Sequence, residues 1–267
     1  MKAYITYFKL KFISGLQYRQ AAYAGIATQF FFGIVYIMVY IAFYQSGGKN
    51  IPMTLSQIIT YLWLNQALLA LINQFSRDKE LFKLVKGGGI SYELARPKSL
   101  YFMWYFKILG QRLSNVTLRV FPLLFVTILL PEPYNLSAPS SINCLILFIV
   151  SLILGTLLVT ALTVLYPIIT LTTIDENGIV NIVITISDIL SGLVVPIPFF
   201  PLFLQKISSV LPFQYISDLP FRIYVGNISI SNGIYGIVIQ FIWLIIITLL
   251  GVLLLNKSMK RVVVQGG

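Results

Sequence analysis

The chain has 267 residues, of which 58% are hydrophobic and only 10% are charged. A soluble protein of this length needs a polar outer surface, which so few charged residues cannot supply. The chain has no histidine and a single cysteine, Cys144, which excludes histidine-based catalysis, histidine metal ligation and an intrachain disulfide. A net charge of +11 would suit nucleic acid, but the basic residues are distributed as in a membrane protein, so no nucleic-acid partner is expected.

Long apolar stretches, with no ATP-binding, redox or hydrolytic motif between them, make up most of the sequence. A hydrocarbon core of about 30 Å needs ~20 helical residues, and the absence of water in lipid favours helices over strands. The sequence therefore predicts an all-α integral membrane protein, with one transmembrane domain covering residues 1–267. The six predicted transmembrane helices are Ala21–Tyr44, Leu55–Phe75, Gln111–Leu130, Ile142–Tyr166, Ile179–Val195 and Ile234–Leu255.

Most basic residues fall on one side of such a six-span chain. Lys and Arg concentrate in cytoplasmic loops, so this pattern places both termini and the loop after the second span in the cytoplasm. The basic residues on this side are Lys2, Lys9, Lys11, Arg19, Arg77, Lys79, Lys83, Lys86, Arg96, Lys98, Lys257, Lys260 and Arg261. The opposite side has only Lys49, Lys206 and Arg222.

The first twenty residues carry too many charges to span a bilayer. On a helix, their apolar residues form one stripe, made of Ile5, Phe8, Phe12 and Leu16. Such a helix would lie along the inner membrane surface with its lysines at the anionic headgroups. The alternative is a disordered basic leader.

The stretch 76–100 predicts a short amphipathic helix in the cytoplasm. Its charges match the helix dipole, with acidic residues first and basic residues last: Asp78, Glu80, Lys83 and Lys86. Its apolar face is predicted to be Leu81, Leu84 and Val85, and the glycine run 87–89 ends it. No strand precedes the glycines and no G-K-[ST] ending follows, which argues against a phosphate-binding loop. We interpret the stretch as a docking platform for a cytoplasmic partner; the alternative is a solvated loop.

The segment 196–227 is apolar but interrupted by prolines. Proline removes a backbone donor and bends any helix that it enters, so these pieces are too short to span. The prolines are Pro196, Pro198, Pro201, Pro212 and Pro220. Re-entrant or interfacial half-helices on the outer face fit this pattern best. The alternative, a seventh full span, would place the basic C-terminal tail outside.

The predicted spans contain one acidic residue, Asp188. Carriers coupled to protons or sodium usually need intramembrane carboxylates or histidines, so the composition favours another energy source. Asp188 could line a transport pathway or pair with Arg119. The simpler alternative is a residue near a helix end that faces other helices.

Four stretches together resemble the membrane subunit of type-2 ABC exporters, in a branch of six-span permeases with a VQGG-like tail. The stretches are QYR (Gln17–Arg19), VKGGGISYELARP (Val85–Pro97), LPFQYISDLPFRIYVGN (Leu211–Asn227) and KRVVVQGG (Lys260–Gly267). The resemblance extends over essentially the whole chain. It implies a multi-pass permease of a prokaryotic plasma membrane, without catalytic, cofactor-binding or metal-binding residues.

The resemblance also implies roles for the two unusual segments. The main ATPase-coupling element would be Leu81–Pro97, with Leu81, Lys83, Leu84, Val85, Lys86, Gly87, Tyr92, Glu93, Arg96 and Pro97 as its key residues. The outer gate would be Pro196–Gly226, with Pro196, Pro198, Pro201, Pro212, Phe213 and Pro220. The implied partners are two copies of an ABC ATPase, which would hold ATP and Mg²⁺, and a second permease chain, identical or related.

The substrate is left open by the sequence, because similar permeases carry drugs, antimicrobial peptides, lipids and glycans. Two alternative functions also remain. A membrane immunity or sensor protein would bind a toxin or peptide without moving it. An intramembrane enzyme would need paired carboxylates, a histidine or a Ser/Lys dyad in one span, and the predicted spans contain none of these.

Overall fold

The computed structural model describes residues 2–47, 51–74, 79–86, 98–171 and 178–260, and within these ranges the regular structure is helical. This confirms the all-α prediction. The helices are α1 (Lys2–Gly15), α2 (Arg19–Gln45), α3 (Leu55–Ile72), α4 (Lys79–Lys86), α5 (Leu100–Leu129), α6 (Ile142–Thr170), α7 (Gly178–Leu190), α8 (Leu202–Val210), α9 (Asp218–Tyr224) and α10 (Ile230–Met259). Short 3₁₀ turns occupy Ile197–Phe199 and Phe213–Tyr215.

Five of the described helices, α2, α3, α5, α6 and α10, are long and apolar enough to cross a membrane. Helix α7 has 13 residues. At 1.5 Å per residue it is about 20 Å long, which is shorter than a hydrocarbon core. It ends because the chain turns at Gly192, whose φ of +82° disfavours other residues. The membrane class is therefore confirmed, while the count of six spans stays a prediction.

Several of the long helices begin at hydroxyl N-caps. The Thr54 hydroxyl accepts from the Gln57 amide, and the Gln57 side chain accepts from the Thr54 amide, which forms a capping box at the start of α3. Ser141 and Ser229 each accept from the amide three residues further along, at the starts of α6 and α10. These caps explain why the starts of the three helices can be recognised from the local sequence.

Helix α5 begins at Leu100, well before the predicted start of the third span at Gln111. The added turns carry Lys107, and the helix also contains Arg112; each side chain is buried, with 1% exposure. A charge that is enclosed by other helices and paired does not have to face lipid. Hydropathy cannot detect such an enclosure, so it does not indicate that the helix begins at Leu100; the start of the span within this helix stays a prediction.

Helix α1 packs alongside the first half of α5. The Tyr4 ring stacks on Phe106 with 5.9 Å between ring centroids. Gly110 allows close approach, since a Cβ there would lie 2.7 Å from the Phe8 carbonyl oxygen. Ile5 of the predicted apolar stripe is exposed, whereas Tyr4 and Phe8 contact α5. The location of α1 at the membrane surface stays a prediction.

Helix α3 is the most enclosed of the long helices, and α2 and α10 are the most exposed. Near the middle of α3, Trp63 is fully buried and its Nε1 donates to the Tyr134 carbonyl at 2.7 Å. By contrast, α2 and α10 present exposed apolar side chains such as Phe31, Met38 and Leu253. Such continuous apolar surfaces suit contact with lipid or with another chain.

The outer segment between α7 and α10 is anchored by Gln240 of α10. Its Nε2 donates to the Ser151 carbonyl of α6 at 2.8 Å and to the Tyr215 carbonyl at 2.6 Å. Its Oε1 accepts from the Ser151 hydroxyl at 3.1 Å. One fully buried amide therefore connects two long helices to the backbone of the outer segment.

We expect Gly155→Ala to destabilise the packing of α6 against the outer segment. A Cβ at this position would lie 2.6 Å from the Ile216 carbonyl oxygen, and backbone cannot move away as a flexible side chain can. Overpacking of this kind typically costs about 1–3 kcal/mol. Thermal unfolding of the purified protein in detergent would measure the loss.

Gly233→Ala is the matched control, because it also faces the outer segment from a long helix. Its Cβ would lie 3.4 Å from Ile223 Cγ1, which is an ordinary contact distance. We expect its melting temperature to equal or exceed that of the wild type. Equal melting temperatures for the Gly155→Ala and Gly233→Ala variants would contradict the close approach of Ile216.

Candidate functional site

Helix α4 is held against the chain by its apolar face. Leu81 and Phe82 are both buried. Phe82 packs in a small cluster with Tyr166 of α6 and with Val180 and Ile184 of α7. Helix α4 therefore joins the last turns of α6 to the first turns of α7.

Two of the predicted coupling residues have described side chains. Leu81 belongs to the main core of this chain, so it anchors α4 to the other helices. Lys83 is exposed, as a surface contact requires. The other predicted coupling positions lie outside the described residues, either wholly or for their side chains: Leu84, Val85, Lys86, Gly87, Tyr92, Glu93, Arg96 and Pro97. The coupling role of the segment stays a prediction.

Glu80 connects α4 to two other helices. Its Oε2 lies 2.8 Å from Lys11 Nζ of α1 and 2.8 Å from Lys107 Nζ of α5. Hydrogen bonds from Lys107 and Lys11 lower the pKa of Glu80 to about 2, so the carboxylate is ionised at all physiological pH values. A displacement of α4 would therefore act directly on α1 and α5.

Arg112 of α5 binds the C-terminal end of α3. One terminal nitrogen donates to the Leu71 and Asn73 carbonyls at 2.8 and 2.7 Å. The other donates to Thr163 Oγ1 of α6 at 2.7 Å. The last carbonyls of a helix have no partners within it and carry partial negative charge, which a cation compensates. Arg112 thus connects three membrane helices at the point where the chain leaves α3.

The geometry does not favour a pairing of Asp188 with Arg119, which was one of the alternatives that the sequence left open. The Arg119 guanidinium lies over Gly25 of α2, where a Cβ would be 2.6 Å from its Cζ. Asp188 instead accepts from the Gln74 amide just beyond α3, and the nearby positive charge is that of Arg112. The two arginines lie on nearly the same face of α5 but two turns apart, so their positions along the helix axis decide which of them approaches Asp188.

The prolines of the outer segment occupy helix starts. Pro196, Pro201 and Pro212 each precede a short helix or turn. Pro198 and Pro220 lie in the first turns of theirs, where an amide donor is not needed. Phe213 opens the second 3₁₀ turn. The segment thus folds as short pieces, and its role as a gate stays a prediction.

Asp218 is the polar centre of the outer segment. Its Oδ1 accepts from the Tyr61 hydroxyl of α3 at 3.0 Å and from the Ile197 amide at 3.1 Å, and its Oδ2 lies 3.4 Å from Arg222. Burial raises the pKa of the Asp218 carboxyl, while the charge of Arg222 and the two donors oppose the rise. The Tyr61 hydroxyl also donates to the Gly192 carbonyl at 3.1 Å. The outer segment is therefore attached to α3 through one buried carboxylate.

Sequence reasoning missed Asp218, Phe82 and the Glu80 ion pairs. A local signal existed for Asp218, because it begins a helix and Arg222 follows four residues later, which is the spacing of a helical ion pair. No local signal existed for Glu80, since Lys11 and Lys107 are distant in sequence. Phe82 was overlooked because the helical stripe was assigned to its neighbours.

Together these contacts define a multi-pass helical membrane protein in which the short helix α4 is joined to the longer helices by charge and packing. Among the described residues, no group of three or more potential metal-binding side chains lies together. The family model described as ABC-2 family transporter protein matches residues 30–266, and the chain belongs to that family. No curated protein and no solved structure matches the chain.

Membership makes the chain a transmembrane transport subunit of an ABC system. Members of this family are generally non-catalytic membrane components that work with an ABC ATPase partner. The segment predicted to couple to the ATPase is therefore the functional site to consider first. The described part of that site is α4 with Lys11, Lys107 and Phe82.

We expect Glu80→Gln to loosen α4 from α1 and α5 while preserving the shape of the side chain. The Glu80 side chain is 65% exposed and therefore screened by solvent, so the expected loss of stability at neutral pH is roughly 1 kcal/mol or less. Because its pKa is lowered, the ionised carboxylate stabilises the fold above about pH 4.5, and this contribution falls as the pH drops toward about 2. Thermal unfolding at several pH values would measure both effects.

Lys83→Gln is the control, since it alters an exposed charge on the same helix. We expect its stability to match the wild type at every pH. The difference between wild type and Glu80→Gln should be constant from pH 8 to pH 5 and shrink below about pH 4.5. A difference that does not depend on pH in this range would contradict an ionic link.

Proposed function

We propose that the chain is the membrane subunit of an ATP-driven exporter and moves its substrate outward. Membership of the ABC-2 transporter family, matched over residues 30–266, is the observation that carries the proposal. The sequence contains no phosphate-binding loop, so ATP hydrolysis would take place on a separate subunit. That ATPase, in two copies, would hold ATP and Mg²⁺.

The complete transporter would contain a second permease chain, identical or related. The exposed apolar surfaces of α2 and α10 support contacts with lipid and with such a chain. The transporter would reside in a prokaryotic plasma membrane with both termini in the cytoplasm. The distribution of basic residues supports this orientation.

The segment Leu81–Pro97 would dock in a groove of the ATPase and transmit its motion. The connections of α4 support this role, because a push on α4 acts through Glu80 on α1 and α5 and through Phe82 on α6 and α7. Four helices would therefore respond to one docking event. Lys83 is exposed for a contact at the rim of such a groove.

The segment Pro196–Gly226 would form the outer gate. Its attachment to α3 through Asp218 and to α10 through Gln240 supports this idea, because both helices belong to the membrane core. A rearrangement of the core would then change the position of the gate. The transported compound would be a drug, antimicrobial peptide, lipid or glycan, as in similar permeases.

The coupling role is tested by Tyr92→Ala and Val85→Asp. Truncating a packed interface anchor typically costs ~2 kcal/mol or more, so both variants should lose most of their association with the ATPase. Lys98→Ala is the control, since an exposed charge pair is worth about 0–1 kcal/mol. Co-purification of the ATPase and ATP turnover of the complexes would measure the effect.

Two results would overturn the proposal. Wild-type association and turnover in both Tyr92→Ala and Val85→Asp would show that coupling occurs elsewhere. ATP hydrolysis by the isolated chain would remove the need for a partner. Membrane insertion of each variant, measured by fractionation, separates a docking defect from a failure to fold.

The orientation predicts opposite accessibility of the outer segment and the end of α10. Ser209→Cys and Asn256→Cys, each introduced after Cys144→Ala, place single thiols at exposed positions without changing the charge. An impermeant thiol reagent on intact cells should label Ser209→Cys only, and Asn256→Cys should be labelled after permeabilisation. The reverse pattern would invert the topology.

A further inference from the structure

A lateral cavity of about 320 Å³ lies between α2, α3 and the chain that follows α7. Its walls are mostly apolar, with several amide side chains and one carboxylate. The lining residues are Thr28, Gln29, Phe32, Tyr36, Asn65, Gln66, Leu69, Asn73, Asp188, Leu193 and Val194. The volume suits a small organic group larger than a water molecule.

Three hydrogen-bond acceptors of this lining have no partner among the described residues. They are Gln29 Oε1, Asn65 Oδ1 and Asp188 Oδ1. The exposed fractions of these residues are 4%, 2% and 5%, so bulk solvent does not hydrate them. An unpaired buried polar group costs roughly 1–3 kcal/mol, and three in one cavity indicate a site that awaits donors.

The orientation of two of these acceptors, those of Asn65 and Asp188, is supported by their other contacts. Asn65 Nδ2 donates to the Leu193 carbonyl at 2.8 Å, which leaves Oδ1 as the free end of the amide. Asp188 accepts from the Gln74 amide, and since its Oδ1 is unpartnered, this bond uses Oδ2. Both side chains are thus held by one bond each, and each keeps one acceptor for a ligand.

The charge at the cavity is negative. Asp188 is the only ionisable carboxylic acid of the lining, and none of the lining residues is Lys or Arg. The nearest cation acting on Asp188 is Arg112, whose terminal nitrogens already donate to Leu71, Asn73 and Thr163. A ligand that completes the site should therefore bring both a positive charge and several N–H donors.

We propose that this cavity binds a protonated primary amine, which donates to Asp188, Asn65 and Gln29. An ammonium group has three donors and no acceptor, which matches three acceptors and one carboxylate. Phe32 and Tyr36, both partly exposed, would contact the apolar body of the ligand and stabilise the cation. If the proposed function holds, the amine-bearing molecule is the transported substrate.

Asp188 gives this site a connection to the cytoplasmic side. It lines the cavity and also accepts from the Gln74 amide, at the end of the helix that precedes the coupling segment. A ligand bound in the cavity would therefore act on the backbone that leads from α3 toward α4. This places ligand binding and ATP-driven motion on a common structural element.

The test measures binding of phenethylamine, of its trimethylated quaternary form and of phenethyl alcohol to the purified chain in phosphatidylcholine nanodiscs. The quaternary form keeps the charge but lacks N–H donors, and the alcohol lacks the charge. We expect the amine to bind roughly tenfold or more tightly than either analogue. Equal affinities for the three compounds would overturn the proposal.

Variants of the cavity residues distinguish a loss of ligand binding from a loss of folding. Asp188→Asn and Gln29→Met should each weaken amine binding roughly tenfold or more. Gln29→Met keeps the shape and removes an unpaired acceptor, so its melting temperature should not fall. The control is Ser187→Ala, which removes another unpaired buried oxygen that is not part of the lining, and it should bind the amine normally. Wild-type affinity in both cavity variants would refute the site. If Asp188→Asn fails to fold, the affinity of Gln29→Met alone decides the test.

The same measurement identifies the source of the amine. Phosphatidylethanolamine added to the nanodiscs would displace phenethylamine if the site holds a lipid headgroup, and would leave binding unchanged if it holds a soluble amine. Association with the ATPase is measured in a separate experiment, by co-purification. Amine binding without ATPase association would contradict the exporter, whereas ATPase association without amine binding would contradict only this site.

Discussion

The C-terminal end of α3 lies inside the protein, and its carbonyls depend on Arg112 for hydrogen bonds. In a membrane no water can replace that donor, so the arginine sets the position of α3 relative to α5. The bond from the same guanidinium to Thr163 extends the constraint to α6. The Gln74 amide, next along the chain, then donates to Asp188 of α7. One buried cation thus organises four helices where the chain turns toward the cytoplasmic segment.

Buried backbone groups also need hydrogen-bond partners beside the N-terminal half of α3. The turn after α7 leaves backbone groups buried, and Tyr61 and Asp218 satisfy them through the Gly192 carbonyl and the Ile197 amide. Gln240 does the equivalent for the Tyr215 carbonyl. The outer segment is irregular because prolines interrupt it, and irregular backbone at membrane depth needs partners from the protein. Helix α3 is therefore bound by polar contacts toward both of its ends, and both candidate functional regions connect to it.

Other buried polar atoms of the described residues are also unpaired, such as Trp104 Nε1 and Ser208 Oγ, but three unpaired acceptors line the one lateral cavity. Natural proteins tend to break the rules of polar satisfaction where function requires it. The cavity adjoins α3 between the two regions, with Asp188 near the end of α3 that leads toward α4. If the proposed function holds, this position would give a ligand contact with both the coupling segment and the proposed gate. The ion pairs of Glu80 connect α4 to α5, which packs against α3, and to α1, which packs against α5.

Much of the fold was predictable from local sequence. Apolar length determined the membrane class and the approximate positions of five long helices, because the hydrophobic effect and backbone pairing in lipid act along contiguous residues. Hydroxyl residues such as Thr54 and Ser141 marked helix starts, since a cap contacts an amide only three residues away. The amphipathic α4 and the division of the outer segment by prolines were likewise properties of short stretches.

Tertiary packing alone decided the rest. The early start of α5 depends on the enclosure of Lys107 and Arg112 by other helices, which hydropathy reads as unfavourable charge. The partner of Asp188 is determined by how α5 is positioned along its axis, which places Arg112 near Asp188 and Arg119, two turns further on, over Gly25. The burial of Leu81 and the three-way contact of Glu80 likewise join residues far apart in the chain. A sequence specifies which side chains carry charge and apolar surface, but the partners are chosen by how separate helices fit together in three dimensions.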